Sequence, residues 1–183
     1  MGKKSQELLI KRMTQLGEDA MRYAFELSFR DKRIPYSGTW THKTHNLGDS
    51  FASAVYVDGV LQKETIRYIY DTPQSERIDY MARMNGRDAV NSYLERIHPE
   101  SQKGDITVIV VAAMYYTKFL EDGTYGRGLF NPKIRVVSGA RDYIDRHYWA
   151  YTYDIYKRWS LPKPKAKVVR GDQMQAWSLY HIG

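Results

Sequence analysis

A chain of 183 residues and 21.4 kDa is long enough to bury a core as one domain without help from disulfides or metals. It contains no cysteine, which excludes a disulfide framework, a thiol nucleophile and a thiolate metal site. Its 28 Lys and Arg against 21 Asp and Glu give a net charge of +7, a balance that favours acidic partners such as nucleic acid and leaves the fold open.

The first predicted element is a long helix over residues 5–30. Leu9, Met13, Leu16, Ala20, Ala24 and Leu27 recur at steps of three and four, one apolar stripe with Lys11, Arg12, Gln15, Glu18, Asp19 and Arg22 mostly off it. Gly17 costs such a helix about 1 kcal/mol relative to alanine, so packing must hold it. Asp31 and Pro35 end it. The polar stretch 35–50 reads as a loop closing in a short turn capped by Asn46, with Asp49 three residues on. Residues 52–57 and 60–70 then read as strands joined by Asp58-Gly59, a dipeptide that supplies the positive φ angles of a type I′ hairpin.

Residues 71–84 are polar and turn-like around Pro73. Asn85 is placed to cap a second helix with Asp88 in the reciprocal position; Val90, Tyr93, Leu94 and Ile97 share its face, and His98-Pro99 stops it. The β-branched run 106–114 reads as a buried central strand, followed by a helical turn at 115–120 that Glu121-Asp122-Gly123 ends. Residues 124–132, with two glycines, read as a mobile loop and 133–137 as a short strand. Over 138–159, Ala140, Ile144, His147, Tyr151 and Ile155 keep helical spacing, whereas 148–156 alone has a strand-like composition; the longer pattern favours a helix. From Ser160 the sequence Leu-Pro-Lys-Pro-Lys-Ala-Lys is a stiff basic linker, and 168–183 a tail carrying Met174, Trp177 and Tyr180.

These elements predict an α+β fold: an antiparallel sheet, a long N-terminal helix and further helices packed on one face, and an extended C-terminal tail. The division is a domain over 1–159 and a basic Pro/Lys linker with a docking tail over 160–183. That tail is expected to be mobile in the free protein and to order against a neighbouring subunit, with Trp177 as its anchor.

Few residues suggest chemistry. His42, His45 and Asp49 have spacings that a metal or metal-dependent nuclease site could use, but they fall in a Thr-rich loop with no further ligand at motif spacing. Glu121 and Asp122 form a carboxylate pair, which after a helical turn more often caps or faces solvent than catalyses. Gly123-Thr-Tyr-Gly126-Arg-Gly128 is glycine-rich but lacks the Lys-Ser/Thr of a phosphate loop. The expectation is a non-enzyme with no catalytic residue, cofactor or metal. The apolar run 106–114 is too short to cross a bilayer and no apolar signal core follows Lys3-Lys4, so a soluble, intracellular protein is expected.

Aromatic content is the unusual quantity: 16 Tyr, 5 Phe and 4 Trp. Tyrosine suits a surface half-buried against partners and equally the rim of a core. Arg141, Arg146, Tyr148, Trp149, Lys157, Arg158 and Trp159 interleave cations and rings as a nucleic-acid-binding surface does, diluted by Asp142, Asp145 and Asp154. The same residues fit a solvated, partner-facing helix.

Two segments, in this order, resemble a known family. Thr44-His-Asn-Leu-Gly-Asp-Ser50, followed by a strand and a tight turn, is similar to the Thr-Gly-Asn-Leu-Arg-x-Ser segment of the tail-completion and head–tail joining (neck) proteins of tailed bacteriophages. Val110-Val-Ala-Ala-Met-Tyr-Tyr-Thr-Lys-Phe-Leu-Glu-Asp-Gly-Thr124 resembles that family's second signature, a strand leading into Tyr-Tyr-Ala-x-Phe-Val-Glu-x-Gly-Thr. The N-terminal helix also fits, so the resemblance covers residues 5–125. Gly48 stands where Arg or Lys is common and His45 where Gly is common, and no Arg-Pro-Phe-Leu precedes the last helix, although Asn131-Pro132 lies there. The resemblance implies a structural virion protein: a homo-oligomeric ring at the neck or upper tail, joining head to tail around the DNA channel. It implies contact with other neck, portal or tail proteins, proximity to genomic DNA, assembly in the host cytoplasm, no membrane partner and no catalytic residues. The interaction residues expected are Tyr115, Tyr116, Phe119, Trp149, Trp159, Trp177 and Tyr180, the first three also pinning the helical turn to the sheet. The alternative, from another class, is a nucleic-acid-binding protein using the basic aromatic cluster.

Overall fold

The apolar stripe at the N-terminus produces helix α1, Lys3–Arg30. Leu9, Met13, Leu16, Ala20 and Ala24 expose nothing to solvent, and Leu27 is half-buried. The computed structural model describes residues 2–30, 46–66, 83–99, 103–115, 117–122, 136–170 and 174–180. The one-turn α2, Asn46–Asp49, leads directly into β1, Phe51–Val57. Asp58 (φ 52°) and Gly59 (φ 77°) turn the chain into β2, Val60–Ile66, so the expected hairpin forms in its expected register, Val57 opposite Val60. A bulge at Gln62, between the Tyr56–Leu61 and Val55–Lys63 pairs, interrupts the ladder. The hairpin tip is tied down from outside: Asp58 accepts from the Gly104 amide at 2.6 Å, and its own N–H donates to the Asp105 carbonyl at 3.1 Å.

Helix α3, Gly86–Arg96, has the expected cap: the Asp88 amide donates to Asn85 Oδ1, and Asn85 Nδ2 to Asp88 Oδ2, both at 2.9 Å. The β-branched run becomes β3, Ile106–Ala112, buried along its whole length. It is followed by α4, Thr117–Asp122, and by α5, Ser138–Arg158, where the helical pattern prevails over the local strand-like composition. Of the expected short strand at 133–137, residues 133–135 lie outside the described residues. Val136 and Val137 are not strand but buried residues that bend into α5, with Val137 already in the right-handed helical region (φ −108°, ψ −23°).

The largest difference from expectation is at the C-terminus. Lys165–Arg170 is strand β4 and Met174–Tyr180 is strand β5, which completes a five-stranded antiparallel sheet ordered β2-β1-β3-β5-β4. β5 pairs with β3 from Ile106–Leu179 to Val111–Met174, and β4 pairs with β5. The tail expected to stay solvated until it met a neighbour is therefore paired within its own chain. The reason is β3. Buried on both faces, it needs backbone partners on both edges, and β1 satisfies only one. Met174, Trp177 and Tyr180 all fall within β5.

The two long helices form the expected layer on one face. A Cβ on Gly17 would lie 3.1 Å from Val108 Cγ1 and 3.2 Å from Ser53 Cβ, so α1 rests close on the sheet at the residue that weakens it as a helix. Phe25 meets Phe51 edge-on at 5.7 Å, and Thr65 donates to Glu18 at 2.7 Å. α5 runs antiparallel beside α1: Gly139 faces Leu27 and Ala24, while Tyr151, further along α5, reaches back to Asp19. On the opposite face Ala52, Ala54, Tyr56, Thr107, Ile109 and Val111 are also buried. There burial raises the pKa of Tyr56, with Glu64 and Tyr93 of α3 adding smaller effects in the same direction.

Candidate functional site

The first segment of the phage resemblance is internal structure. Residues 46–50 are all buried. Asn46 Oδ1 accepts the Gly86 amide at 2.9 Å, and a Cβ on Gly86 would lie only 2.1 Å from the Asn46 carbonyl oxygen, so α2 and α3 touch at a point that admits only glycine. Asp49, 2% exposed, has Arg87 Nε at 3.9 Å, and Ser50 Oγ closes the turn onto the Leu47 carbonyl at 2.9 Å. Asp49 thus faces α3; His42 and His45 lie outside the described residues. Among the described residues no group of three or more His, Asp or Glu side chains is placed to hold a metal ion.

The second segment contains a residue whose role no local pattern signals. Glu121 Oε2 accepts the Val137 amide at 2.8 Å and Oε1 the Ser138 amide at 3.2 Å. α5 has no side-chain cap of its own at Val137. A carboxylate sixteen residues upstream therefore supplies both the acceptors and the negative charge that the first turn of a helix lacks. Glu121→Ala is expected to lower stability by about 1–2 kcal/mol, read as a shift in the urea midpoint, with Glu121→Gln intermediate because it keeps an acceptor without the charge. An Ala variant with the wild-type midpoint would refute this role. The neighbouring Asp122 side chain and Gly123–Gly128 are outside the described residues.

The tyrosine excess is partly spent inside the fold. Tyr151 donates to Asp19 Oδ2 at 2.5 Å across the α1–α5 seam, Asp19 also pairs with Arg22, and Tyr143 contacts Tyr23 and His147 at centroid distances of 5.3 and 4.4 Å. Burial, then the bond to Asp19, raises the pKa of Tyr151, and burial alone raises that of Tyr156.

The basic aromatic cluster does assemble, with altered membership. Trp149 is half-buried and meets Tyr153 edge-on at 5.6 Å and Tyr156 at 6.0 Å. Lys163 Nζ sits 5.2 Å from the Trp149 ring centre and Lys157 Nζ 5.5 Å from that of Tyr153, while Arg158 lies 5.6 Å from Trp159. Tyr153 and Trp159 remain exposed, at 43% and 37%. Arg141 is drawn off by Asp142 at 2.8 Å, and Arg146 is exposed on the same helix. Tyr153 and Lys163 are the additions to the expected cluster, the first from the middle of α5 and the second from the segment after it. The signal was available: 149, 153 and 157 are one helical stripe.

Of the other expected interaction residues, Tyr115 is half-buried between β3 and α4, Phe119 lies in α4, and Trp177 and Tyr180 lie in β5, where Trp177 is opposite Val108. Tyr116 and the side chains of Phe119, Trp177 and Tyr180 are outside the described residues. Among the described residues no helix is long and apolar enough to cross a membrane. Compared with protein-family models, with curated proteins and with solved structures, the chain has no match.

Proposed function

We propose that this chain is a structural virion protein of a tailed bacteriophage, a ring-forming component of the neck or upper tail that joins head to tail around the DNA channel. One observation carries the reading. The two segments that resemble the neck-family signatures, far apart in the sequence, adjoin in the fold: the Ala113 amide donates to the Ser50 carbonyl at 3.1 Å, and Phe51 lies opposite Ala112 at the start of the β1–β3 ladder. A shared structural nucleus would place them so. The roles of their residues are those of a scaffold, with Asn46 clamping α3 and Glu121 capping α5.

The sheet also offers edges for assembly. Among the described residues β2 and β4 are its outer strands, and Val60 and Leu61 at the hairpin tip are 61% and 42% exposed. Repeated copies of one chain close most readily as a ring, and such a ring sits with other neck, portal or tail proteins in the virion. Gold label on a tagged copy of the chain is expected at the head–tail junction of assembled particles. Label spread over the capsid shell, or particles without label, would overturn the reading.

A further inference from the structure

We propose that the C-terminal end of α5 and the strand after it bind the phosphate backbone of a nucleic-acid duplex, without regard to base sequence. Between residues 155 and 171 the sequence holds Lys157, Arg158, Lys163, Lys165, Lys167 and Arg170 and neither Asp nor Glu, so this stretch carries +6 where the whole chain carries +7. Lys157, Arg158, Lys163, Lys165 and Lys167 are exposed, and among the described residues β4 is an outer strand of the sheet. Asp154, one turn before Lys157 and Arg158, offsets a single charge.

Three of these cations are also held in place. Lys163 lies over Trp149, Lys157 over Tyr153 and Arg158 over Trp159, at 5.2, 5.5 and 5.6 Å from the ring centres. A cation resting on an aromatic face loses less side-chain freedom when it meets an anion than one waving in solvent. The same contacts decide which anion. Trp149 is already engaged by Lys163, Tyr153 and Tyr156, and the exposed rings of Tyr153 and Trp159 each carry a cation of their own. What this surface presents outward is cations carried on rings, which match phosphates before bases. A duplex, with one charge per about 1.7 Å of axis, presents the denser polyanion.

This site is independent of the neck reading: a chain with any role could carry it, and a neck ring could lack it. The test is fluorescence anisotropy of a labelled, mixed-sequence DNA duplex titrated with the full chain between about 50 and 200 mM salt. Wild type is expected to bind the duplex more tightly than a single strand of the same length. Lys157→Gln/Lys163→Gln is expected to weaken binding about tenfold at the lowest salt and to reduce the slope of log affinity against log salt by about 1.8, the counterion equivalent of two phosphates. Lys157→Arg/Lys163→Arg should keep both. The proposal is overturned if wild type fails to bind at the lowest salt, if the Gln variant keeps the wild-type slope, or if the single strand binds more tightly. It is also overturned if a polyglutamate peptide of matched charge outcompetes the duplex, which would make an acidic protein segment the occupant.

Discussion

Gly86→Ala is expected to lower the unfolding free energy by about 3 kcal/mol, at the upper end of what overpacking costs. The added Cβ would lie 2.1 Å from the carbonyl oxygen of Asn46 and 2.9 Å from its carbonyl carbon, both backbone atoms that cannot rotate away. Relief requires α3 to move off α2, and that movement breaks the buried bond from the Gly86 amide to Asn46 Oδ1. Gly139→Ala is the control. Its Cβ would meet Leu27 Cδ1 at 2.8 Å, the far end of a flexible side chain, with the Ala24 backbone at 3.6 Å. A rotamer change in Leu27 accommodates it, and the better helix propensity of alanine offsets about 1 kcal/mol of the cost. Urea midpoints of the two variants measure the contrast. Equal shifts would mean that α2 and α3 are not in the close contact described.

Deleting residues 162–183 is expected to abolish the cooperative unfolding transition. The deletion strips β3, which is buried along its whole length, of its partner from Ile106 to Val111. Each buried amide or carbonyl left without a partner costs about 1–3 kcal/mol, so the set is comparable with the whole stability of a domain. A chain that loses near-UV circular dichroism or becomes insoluble fits this expectation; one that keeps the wild-type midpoint would restore the picture of a dispensable tail. Ala176→Pro is a milder version in the full-length protein. Ala176 sits between Ile109 of β3 and Val169 of β4, and removing its N–H from the ladder is expected to cost about 2 kcal/mol or more.

These variants also separate scaffold from surface. Gly86, Asn46 and Glu121 hold the frame on which the exposed ridge of Tyr153, Lys157, Trp159 and Lys163 is presented. Changes to the frame move the unfolding midpoint, whereas changes to the exposed lysines are expected to move binding alone.

Local patterns determined much of this protein from the sequence. The stripe from Leu9 to Ala24 sets the buried face of α1, Asp58-Gly59 sets the hairpin and its register, and Asn85 with Asp88 sets the start of α3. In each case the deciding interactions lie within a few residues, where spacing and turn chemistry are readable. What only the tertiary structure decided depends on contacts between distant residues. Glu121 caps a helix that begins seventeen residues later, and Gly86 is required because Asn46, forty residues earlier, comes to rest against it. Lys163 looked like solvated linker until α5 brought Trp149 beneath it. The C-terminal segment shows the limit most clearly: its Pro-Lys start reads as linker, its apolar residues do not alternate strictly with polar ones, and it joins the sheet because the second edge of β3 must be paired.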